Sequence, residues 1–558
     1  MNQPAAARPP RALRLLNLLA WMLALWTLLT TVAATLAAYS ALPYEDEWDT
    51  WLSYLRRGYH LGWFFALHND HRLAAPRVLF AIDHLAFDGR RWFLVVSSYG
   101  LQAFLALLLW QFAKRDAVRD GPEDRVIGAA IVCALFSAQQ AVNFYWGFQV
   151  QFFMVYAAGA ASLFALLHSA GAGSARRRAA WFAASLLLAV VCSYSMANGV
   201  LIWPILLLAA VWLKVDRPGL ALAAAGTVLL PLLYFHGWHS SKLDAAAPLV
   251  RVMVFALANL GAPLVPLLAS VGSAARTSVI VTALVGAALL AGAAGAWVLL
   301  WRDRARFSRE QAALAHFALF AAAASLAIAI GRAHLPLDAA FRSRYITPPY
   351  IFWVCLLILA WPRVRQWRPP AAQAAVCLAL FLGVAIHQIP KVRESAAFGA
   401  GFHRGEIVVV DGVSDPEVWP FIFRSAAEAT PAVDYLRAKS LSVFTEQWTH
   451  WPGLPLAGAF SIEGNANACR GSFDEVTRVA APPRPGWRLT GRVVCGGAPA
   501  NGRFVVLADP SGKIAGVAPV DSGRWLGYVP DRGEWVAAYL VAQDGKSVRL
   551  LGTRALDR

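Results

Sequence analysis

The densest group of acidic side chains lies early in the chain, in the segment PYEDEWD at residues 43–49. Four carboxylates fall within five positions there, and such crowding raises their mutual repulsion and lifts some of their pKa values. A carboxylate in that state is a good general base, and neighbouring carboxylates can hold a hard cation. The segment is equally typical of an acidic first helical turn, with Trp48 and Trp51 as an interfacial anchor.

Carboxylate, imidazole and guanidinium groups are mixed in HNDHRLAAPR at residues 68–77, which includes Asp70, His71 and Arg72. The i, i+3 spacing of the two histidines would place both on one helical face as metal ligands, although two histidines without a third ligand are more often hydrogen-bonding groups. Residues 56–91 also hold six arginines. Binding of a lipid phosphate at a membrane surface would explain this excess, and so would ion pairs to nearby acids.

A third group surrounds a short turn in GRAHLPLDAAFRSRY at residues 331–345. It contains Arg332, Arg342 and Arg344, and Tyr345 opens the next apolar stretch. The planar guanidinium group fits a phosphate with two parallel hydrogen bonds. Snorkelling toward lipid headgroups would explain any single arginine here, but three arginines around one turn favour anion binding.

Aromatic rings and amides are combined in two shorter segments, at residues 143–149 (NFYWGFQ) and 194–199 (YSMANG). Such side chains stack on sugar rings and hydrogen-bond sugar hydroxyls. An aromatic belt at a membrane interface and a simple Asn-Gly turn are the structural alternatives. The candidates for substrate contact are Asn143, Trp146, Gln149 and Asn198.

Several motifs that would indicate other chemistry do not occur in the sequence. There is no Walker-type phosphate loop, no zinc-binding cysteine pattern, no G-x-S-x-G elbow and no dinucleotide fingerprint. ATP use and serine hydrolysis therefore have no support in the sequence.

The composition indicates which elements must position these groups. Hydrophobic residues make up 58% of the chain and charged residues 15%, against roughly 25% charged in soluble proteins. This excludes an ordinary soluble enzyme and a disordered protein. Apolar stretches near the length of about 20 residues that crosses a bilayer predict about eleven transmembrane helices, at 15–38, 92–113, 126–142, 150–170, 179–194, 197–213, 218–236, 277–301, 311–331, 345–361 and 372–390.

The net charge of +17 comes largely from arginines in alternate loops, which predict that those loops and the N-terminus are cytoplasmic. The segment at 39–91 is then a long outward loop of a membrane domain at 1–390. Residues 249–272 are long enough to cross the membrane, but a crossing would place the basic loop at 302–309 on the outer side. Because glycine and prolines interrupt them, we expect an interfacial or re-entrant segment.

Residues 391–558 are polar and rich in Gly and Pro, and they predict a separate extracytoplasmic α+β domain. Its first part has a helical pattern, and short alternating stretches with turn signals predict a largely β-sandwich-like second part. Cys469 and Cys495 are the two cysteines of this polar region. An oxidising exterior would let them pair as a disulfide, whereas two free cytoplasmic thiols are the alternative.

Taken together, PYEDEW in the first outward loop, the HNDHR segment and the late SRY at 343–345 resemble the GT-C superfamily of integral-membrane glycosyltransferases. In that superfamily a first span precedes a long outward loop with an acidic motif, about ten to thirteen spans follow, and many members end in an extracytoplasmic domain. The resemblance covers the membrane region, its motifs are short, and the domain at 391–558 matches no defined family.

The resemblance implies transfer of a sugar from a polyprenyl-phosphate donor to an acceptor hydroxyl on a glycan, lipid or protein, with inversion, at a bacterial inner membrane facing the periplasm. It implies Asp46 as general base, with Glu47 as its partner or as a metal ligand. It also implies donor-phosphate binding by arginines and substrate contacts by their neighbours. The arginines for the donor phosphate are Arg72, Arg332, Arg342 and Arg344. The neighbours that would contact the substrate are Asp70, His71 and Tyr345.

No cofactor is expected, because arginines can neutralise a monophosphate, although a divalent cation is compatible with the pattern. No nucleic-acid partner is expected either, since membrane topology accounts for the positive charge. Two other functions fit much of the same sequence. A transporter or flippase of lipid-linked sugars would use the arginines but no base, and an envelope glycan polymerase would share the chemistry and differ in product length.

Overall fold

The computed structural model describes residues 11–116, 125–238, 247–270, 272, 274–364, 383–463 and 469–556. The described chain is mostly helical, with a β-rich region near the C-terminus. It divides into two compact units. Unit 1 comprises residues 1–37, 64–79 and 94–395, and unit 2 comprises residues 38–63, 80–93 and 396–558.

The helices are labelled in chain order over the described residues. Those up to residue 364 are α1 Arg11–Ala38, α2 Asp46–Arg57, α3 Leu61–Phe65, α4 Ala74–Ala86, α5 Trp92–Asp116, α6 Arg125–Leu135, α7 Ala141–Tyr145, α8 Val150–Ala170, α9 Ala175–Ser193, α10 Ile202–Trp212, α11 Arg217–Phe235, α12 Leu249–Leu260, α13 Val265–Ser270, α14 Ala275–Arg302, α15 Arg309–Arg332 and α16 Thr347–Val364. Those after it are α17 Gln388–Asp411, α18 Trp419–Ile422, α19 Ala426–Ala438 and α20 Leu456–Ala459.

Within the described residues, seven helices are long and apolar enough to cross a membrane. They are Arg14–Ala38, Trp92–Lys114, Arg125–Tyr145, Gly147–Ala170, Arg217–Phe235, Ala275–Arg302 and Arg309–Arg332. The figure of about eleven spans is not confirmed. Helix α9 begins with three arginines near its start, Ala197–Trp212 is a shorter apolar helix, and the stretch at 372–390 lies largely outside the described residues.

The interrupted segment at 249–272 forms two helices, Leu249–Leu260 and Ala262–Ser270, that meet at an angle of 52°. This bend is compatible with one broken span, which would make an eighth, or with a re-entrant loop. Bends of this size occur where glycine and proline interrupt the helical hydrogen bonds.

Helix α8 forms the centre of unit 1. Of its 21 residues, 18 are buried, which is the behaviour expected of a helix that is apolar on all sides. Tyr156 of α8 packs edge-on against Phe320 of α15, with 5.9 Å between the ring centroids. Gly159 lies so close to Phe320 that an added Cβ would come within 3.1 Å of its ring. These contacts bring α8 and α15 into close packing at the centre of unit 1.

Unit 2 contains a nine-stranded sheet whose main strands are β4 Cys469–Val479, β5 Gly486–Cys495, β7 Arg503–Ala508, β8 Ile514–Asp521, β9 Arg524–Pro530, β10 Trp535–Val541 and β11 Ser547–Ala555. Short strands complete it at β3 Ser461–Ile462 and β6 Ala498–Pro499. The order is β3-β11-β10-β7-β8-β9-β5-β4, with β6 beside β5. All neighbouring pairs are antiparallel except β11 and β3.

The two ends of this sheet approach each other, since a Cβ added to Gly471 of β4 would lie 2.9 Å from Leu551 of β11. The curled sheet encloses a core that includes Trp487, Leu507 and Trp525. One continuous path of paired strands therefore surrounds this core, and its sandwich-like character stays a prediction. Cys469 and Cys495 are direct partners across β4 and β5 and are joined by a disulfide.

Unit 2 also takes in residues 38–63 and 80–93 of the segment predicted as a long outward loop. These residues are helical and partly buried. Trp48 is fully buried, with its ring 6.2 Å from those of Trp419 and Phe423, and the backbone N–H of Glu45 donates to the carbonyl of Ile422 at 2.8 Å. A boundary near residue 390 therefore captures the last part of unit 2 but not the early residues that complete its core.

Candidate functional site

Unit 1 contains a cavity of about 340 Å³ to which chemically active side chains come from four separate parts of the sequence. The lining residues that have polar side chains are Asp70, His71, Asn198, Arg332 and Tyr345. All five had been selected as candidates from the sequence. Most of the remaining wall is apolar, formed by Phe152, Met196, Val200, Leu201, Phe235, Trp238, Ile328 and Ile330 together with smaller residues. We call it the Asp70 cavity.

A short hairpin brings Asp70 and His71 to the cavity. Strands β1 Leu67–His68 and β2 His71–Arg72 pair antiparallel, and Asn69 between them has φ of 50°. The indole Nε1 of Trp238 donates to the carbonyl of Asp70 at 3.2 Å. Within this hairpin His68 and His71 face each other across the two strands, so the predicted arrangement on one helical face is wrong.

Arg72 anchors the hairpin. Its Nε donates to the carbonyl of Tyr234 at 2.7 Å, and its two Nη atoms donate to the carbonyls of Phe65 and His236. Its backbone N–H also donates to the hydroxyl of Tyr234 at 2.8 Å. Arg72 is not among the residues that line the Asp70 cavity. The geometry assigns it a positioning role, in place of the expected contact with a donor phosphate.

Asn198 is held in place from two directions. Gly199 packs against the backbone of Cys192 so closely that a Cβ there would lie 1.9 Å from the Cys192 carbonyl oxygen, so this approach requires glycine. The side-chain Nδ2 of Asn198 donates to the hydroxyl of fully buried Tyr156 at 3.1 Å. Asn198 is itself only 7% exposed, and its Oδ1 accepts no hydrogen bond within the described chain. A buried acceptor without a donor is costly unless a ligand or water satisfies it.

Arg332 and Tyr345 form the opposite polar part of the wall. The Nε of Arg332 donates to the hydroxyl of Tyr345 at 2.9 Å, and one Nη donates to the Gly331 carbonyl at 3.1 Å. These bonds orient the guanidinium group at the end of α15. Within the described residues Arg332 has no acidic partner at ion-pair distance.

The other two arginines of the late turn are outside the cavity lining. Arg342 is exposed. Arg344 is half-buried, its guanidinium carbon lies 5.1 Å from the ring centroid of Tyr345, and its Nε has no partner within the described chain. The structure therefore brings one of the three arginines into the cavity and leaves Arg344 behind Tyr345.

Asn143, Trp146 and Gln149 are buried but do not line this cavity as described. Asn143 donates to the hydroxyl of Thr347 at 3.0 Å, which donates to Gln140 at 2.8 Å. Because Thr347 lies two residues after the SRY turn, this network helps to hold that turn in place. The geometry gives Asn143 a supporting role rather than a direct contact with substrate.

The cavity lies at the ends of helices that are far from the arginine-rich turns of unit 1. It takes lining residues from the start of α8 and from the ends of α11 and α15. At the other end of α8 and α15, Arg309 donates to the carbonyl of Ala170 at 3.2 Å. The 21 residues of α8 separate the two ends by about 30 Å, which matches the hydrocarbon thickness of a bilayer.

The acids of PYEDEW lie in unit 2. Glu47 is buried and forms an ion pair with Arg91 at 2.7 Å, and it also accepts the backbone N–H of Tyr44 at 2.8 Å. The two carboxylate oxygens of Asp49 accept from the two Nη atoms of Arg424, each at 2.8 Å. Glu47 therefore has a structural partner within unit 2, and its role beside the general base stays a prediction.

Asp46 is the first residue of α2 and is half-buried. Glu45, directly before it, has φ of 46° and ψ of −117°, an unfavourable backbone conformation for a residue with a side chain. Such strain persists where the surrounding structure imposes it and is found more often at functional sites. The role of Asp46 as general base stays a prediction.

Asp83 and His84 form a buried group that the sequence interpretation missed. Burial raises the pKa of Asp83 to about 7, a backbone hydrogen bond from Arg91 opposes this shift, and the Glu47 carboxylate adds to it. Burial lowers the pKa of His84, whose Nδ1 lies 2.5 Å from the Tyr59 hydroxyl. In the sequence, an Asp next to a His in an amphipathic helix did not indicate that both side chains are buried.

Within the described residues, no group of three or more His, Cys, Asp or Glu side chains could hold a metal ion. Comparisons with models of protein families, with curated proteins and with solved structures find no match to this chain. The apolar helices make it a membrane protein by composition and length. Its assignment to a superfamily of glycosyltransferases stays a hypothesis that rests on the residues and their geometry.

Proposed function

We propose that this protein is a membrane glycosyltransferase that moves a sugar from a polyprenyl-phosphate donor to an acceptor hydroxyl, with inversion, on the extracytoplasmic face. The observation that supports it most is the Asp70 cavity, where a cationic side chain, a carboxylate and an amide meet inside a largely apolar wall. A lipid-linked sugar phosphate has the same three parts: an anion, a set of hydroxyls and a hydrocarbon chain.

The cavity has a route for a lipid chain. Phe235 at the end of α11 and Ile330 near the end of α15 both line it, yet they are 40% and 59% exposed. Leu232 and Leu233 of α11 are also largely exposed and apolar. In a membrane protein such surfaces face hydrocarbon. A polyprenyl chain would leave the cavity along these helices while its head group stays among the polar side chains.

Arg332 is the residue we assign to the donor phosphate. Its Nε is held by Tyr345, so the guanidinium group is oriented before any ligand binds and can stabilise charge that develops on the leaving phosphate. Asp70 and His71 contact the sugar or the acceptor. Asp46 is proposed as the base that takes the proton of the acceptor hydroxyl, and this assignment rests on the acidic motif and on the resemblance. The bond to the lipid phosphate breaks in the same step.

The proposed orientation follows from the arginine-rich turns. Because cytoplasmic loops are enriched in Lys and Arg, the turns that hold Arg176–Arg178 and Arg302–Arg309 are assigned to the cytoplasm. The Asp70 cavity, at the opposite ends of α8 and α15, then opens toward the exterior. Nucleotide sugars are not needed there, which agrees with the missing nucleotide motifs.

The decisive experiment measures binding and transfer separately, with purified protein in lipid nanodiscs. Native mass spectrometry with undecaprenyl phosphate should show at least tenfold weaker binding for Arg332→Ala, because the buried anion loses its partner. Arg304→Ala, which changes an arginine stacked on Trp301 at the other end of the helices, is the matched control and should bind normally. Equal binding by both variants would refute the phosphate site.

Transfer is then tested with Asp46→Asn. It should abolish transfer from undecaprenyl-phosphate sugars to an added envelope-lipid acceptor fraction while donor binding stays normal, since the amide cannot accept the proton. Asp49→Asn, whose carboxylate is paired with Arg424, is the control and should retain transfer. If Asp46→Asn kept full activity, the base would be assigned wrongly. Bound donor that moves across the bilayer without transfer would identify a flippase.

A further inference from the structure

A groove of about 580 Å³ lies between α1, α5 and α6 of unit 1, and the proposed function makes no use of it. Apart from Arg125, the first residue of α6, its described lining residues are hydrophobic or glycine. Trp21 of α1 and Leu107 of α5 line it and are 44% and 59% exposed, so the groove opens sideways toward lipid. We call it the Arg125 groove.

Hydrogen bonds join the three helices at one end of the groove. Thr31 of α1 donates to the carbonyl of Phe136 at 2.6 Å, and Gln102 of α5 donates to the carbonyl of Leu135 at 2.6 Å. Phe136 also lines the groove, and it lies near the middle of the 21-residue span Arg125–Tyr145. The groove is therefore closed near the centre of the membrane and open at the end where α6 begins.

The length of the groove limits what can occupy it. From Arg125 to Phe136 the chain rises about 16 Å at about 1.5 Å per helical residue. This is half of the hydrocarbon thickness of about 30 Å. A transmembrane helix of a second copy or of another protein would need contact over the whole thickness. A lipid acyl chain of one leaflet has the required length.

Two indole rings lie near the open end. A Cβ added to Gly128 would come within 3.1 Å of Trp21 and 3.4 Å of Trp110, so the absence of a side chain there makes room for both rings. Gly128 is one helical turn from Arg125. Because tryptophans collect where hydrocarbon meets the lipid head groups, these rings mark the depth at which a head group would begin.

Each of the three helices also carries a basic side chain at the open end. Arg125 belongs to the groove lining itself. Lys114 follows Trp110 by four residues, and Arg14 precedes Trp21 by seven, so each lies on the same helical face as a lining residue. All three basic side chains are exposed, and within the described residues none has an acidic partner at ion-pair distance. Such a group of basic side chains between transmembrane helices favours an anionic head group.

We propose that the Arg125 groove binds one anionic phospholipid, with an acyl chain between α1, α5 and α6 and its phosphate among Arg14, Lys114 and Arg125. The site lies in the leaflet opposite to the Asp70 cavity, because α6 runs from Arg125 toward the end of unit 1 at which α8 begins. It is therefore separate from the proposed donor site and does not depend on transferase activity. The lipid completes the packing of the three helices on the side away from their hydrogen bonds.

The head-group preference is measured by native mass spectrometry of the purified full chain in detergent. The probes are phosphatidylglycerol and phosphatidylcholine with identical acyl chains, which differ in net head-group charge. One molecule of phosphatidylglycerol should bind at least about fivefold more tightly than phosphatidylcholine, because basic side chains attract the net negative charge. Equal affinity for the two lipids would overturn the assignment to an anionic lipid.

The position of the head group is tested with Arg125→Ala. This variant should bind phosphatidylglycerol about fivefold more weakly and phosphatidylcholine nearly as the wild type does. Arg176→Ala removes an exposed arginine near the start of α9, outside the groove, and is the matched control. It should bind both lipids normally. An equal loss in the two variants would indicate non-specific attraction to a basic surface and would overturn the site.

The position of the acyl chain is tested with Ala103→Trp. Ala103 is exposed and lines the groove, so the larger ring would occupy the groove without displacing buried side chains. The variant should lose the preference for phosphatidylglycerol. Ala288→Trp, the same change at an exposed position of α14, is the control and should keep it. Size-exclusion chromatography checks that both variants are folded. Wild-type preference in Ala103→Trp would place the lipid elsewhere and overturn the groove.

A photoreactive phosphatidylglycerol with a diazirine in its acyl chain gives a second readout. It should label peptides of α1, α5 and α6 in the wild type and label them much less in Ala103→Trp. Equal labelling of all lipid-facing helices would overturn the proposal. Dimers that hold no lipid and dissociate in Ala103→Trp would identify the groove as a contact between two copies, which would overturn it as well.

Discussion

The acidic motif of unit 2 and the polar cavity of unit 1 are both built from charged and amide side chains, but they differ in how these groups are satisfied. Glu47 and Asp49 are matched by Arg91 and Arg424, each at hydrogen-bonding distance. In the cavity, Asn198 keeps a buried oxygen without a donor, and Arg332 has no acid beside it within the described chain. The acids of the motif are therefore paired within the fold, whereas two polar groups of the cavity have no such partner within the described chain.

The difference shows why a crowded motif is a weak guide to a site. Carboxylates that are close in sequence are brought by the fold to arginines that are distant, and removing one partner of a buried pair then leaves an uncompensated charge. Groups that bind ligands are recognised instead by what they lack, because a buried polar group without a partner costs free energy in the empty protein. Three measurements can test this contrast in unit 2.

The largest effect is expected for Arg91→Ala. This change leaves the Glu47 carboxylate buried without its cation, and breaking a buried pair in this way costs about 3–5 kcal/mol. Hydrogen exchange of the full chain in nanodiscs would report it as a lower free energy of opening for α2 and its neighbours. The control is Arg90→Ala, which breaks the ion pair between Arg90 and Glu446. Because these side chains are 41% and 50% exposed, the free energy of opening should change little. Equal effects of the two changes would contradict the assignment of Glu47 to structure.

A pH effect of intermediate size is expected from Asp83. Its pKa is raised to about 7 in the folded protein against an ordinary value near 3.8, so folding favours the neutral acid. The resulting stability is complete below about pH 4 and is lost as the pH rises through about 7. Over that interval the free energy of opening of unit 2 should fall by about 3–4 kcal/mol, since each pKa unit corresponds to about 1.36 kcal/mol.

The variant Asp83→Asn provides the control for this pH effect. The amide cannot ionise, so the decline between pH 4 and pH 7 should disappear while the protein stays folded. Hydrogen exchange at several pH values, corrected for the intrinsic exchange rate, would measure both proteins. A wild-type profile as flat as that of the variant would show that Asp83 titrates normally.

The smallest effect is expected for Asp49→Ala. Although the Asp49–Arg424 pair has two short hydrogen bonds, the side chain of Arg424 is 54% exposed, and such pairs contribute about 0–1 kcal/mol. The free energy of opening should change by less than about 1 kcal/mol, and less still at high salt. A loss as large as that of Arg91→Ala would mean that this pair, too, supports the core of unit 2.

The sequence predicted some elements well because their physical constraints are local. An apolar run of about 20 residues has to satisfy its backbone groups internally, and seven of the predicted stretches are helices of sufficient length and apolar character. The strand-and-turn pattern of residues 469–555 likewise corresponds to a β-rich region. The loop at 39–91 was predicted less well, because burial of Trp48 depends on Trp419 and Phe423, which lie far along the chain.

The candidate site shows the same division. Residue types alone indicated that Asp70, His71, Asn198, Arg332 and Tyr345 could contact a ligand, and the fold places these five around one cavity. The same reasoning also selected Arg72 and Glu47, whose hydrogen-bonding groups are used within the fold. No sequence pattern separates the two sets, since whether a guanidinium group meets a carbonyl, a carboxylate or empty space is fixed by packing.

By itself the sequence determined that the chain enters a membrane, that its C-terminal part is of a different kind, and which side chains have the chemistry to bind a phosphate and a sugar. These properties follow from hydrophobicity and functional groups, which belong to each residue alone. Only the tertiary structure decided that Asp49 meets Arg424, 375 positions away, and that Asn198 meets Tyr156 with one oxygen left unsatisfied. Pairing depends on distance in space, and the packing of the helices and strands sets that distance.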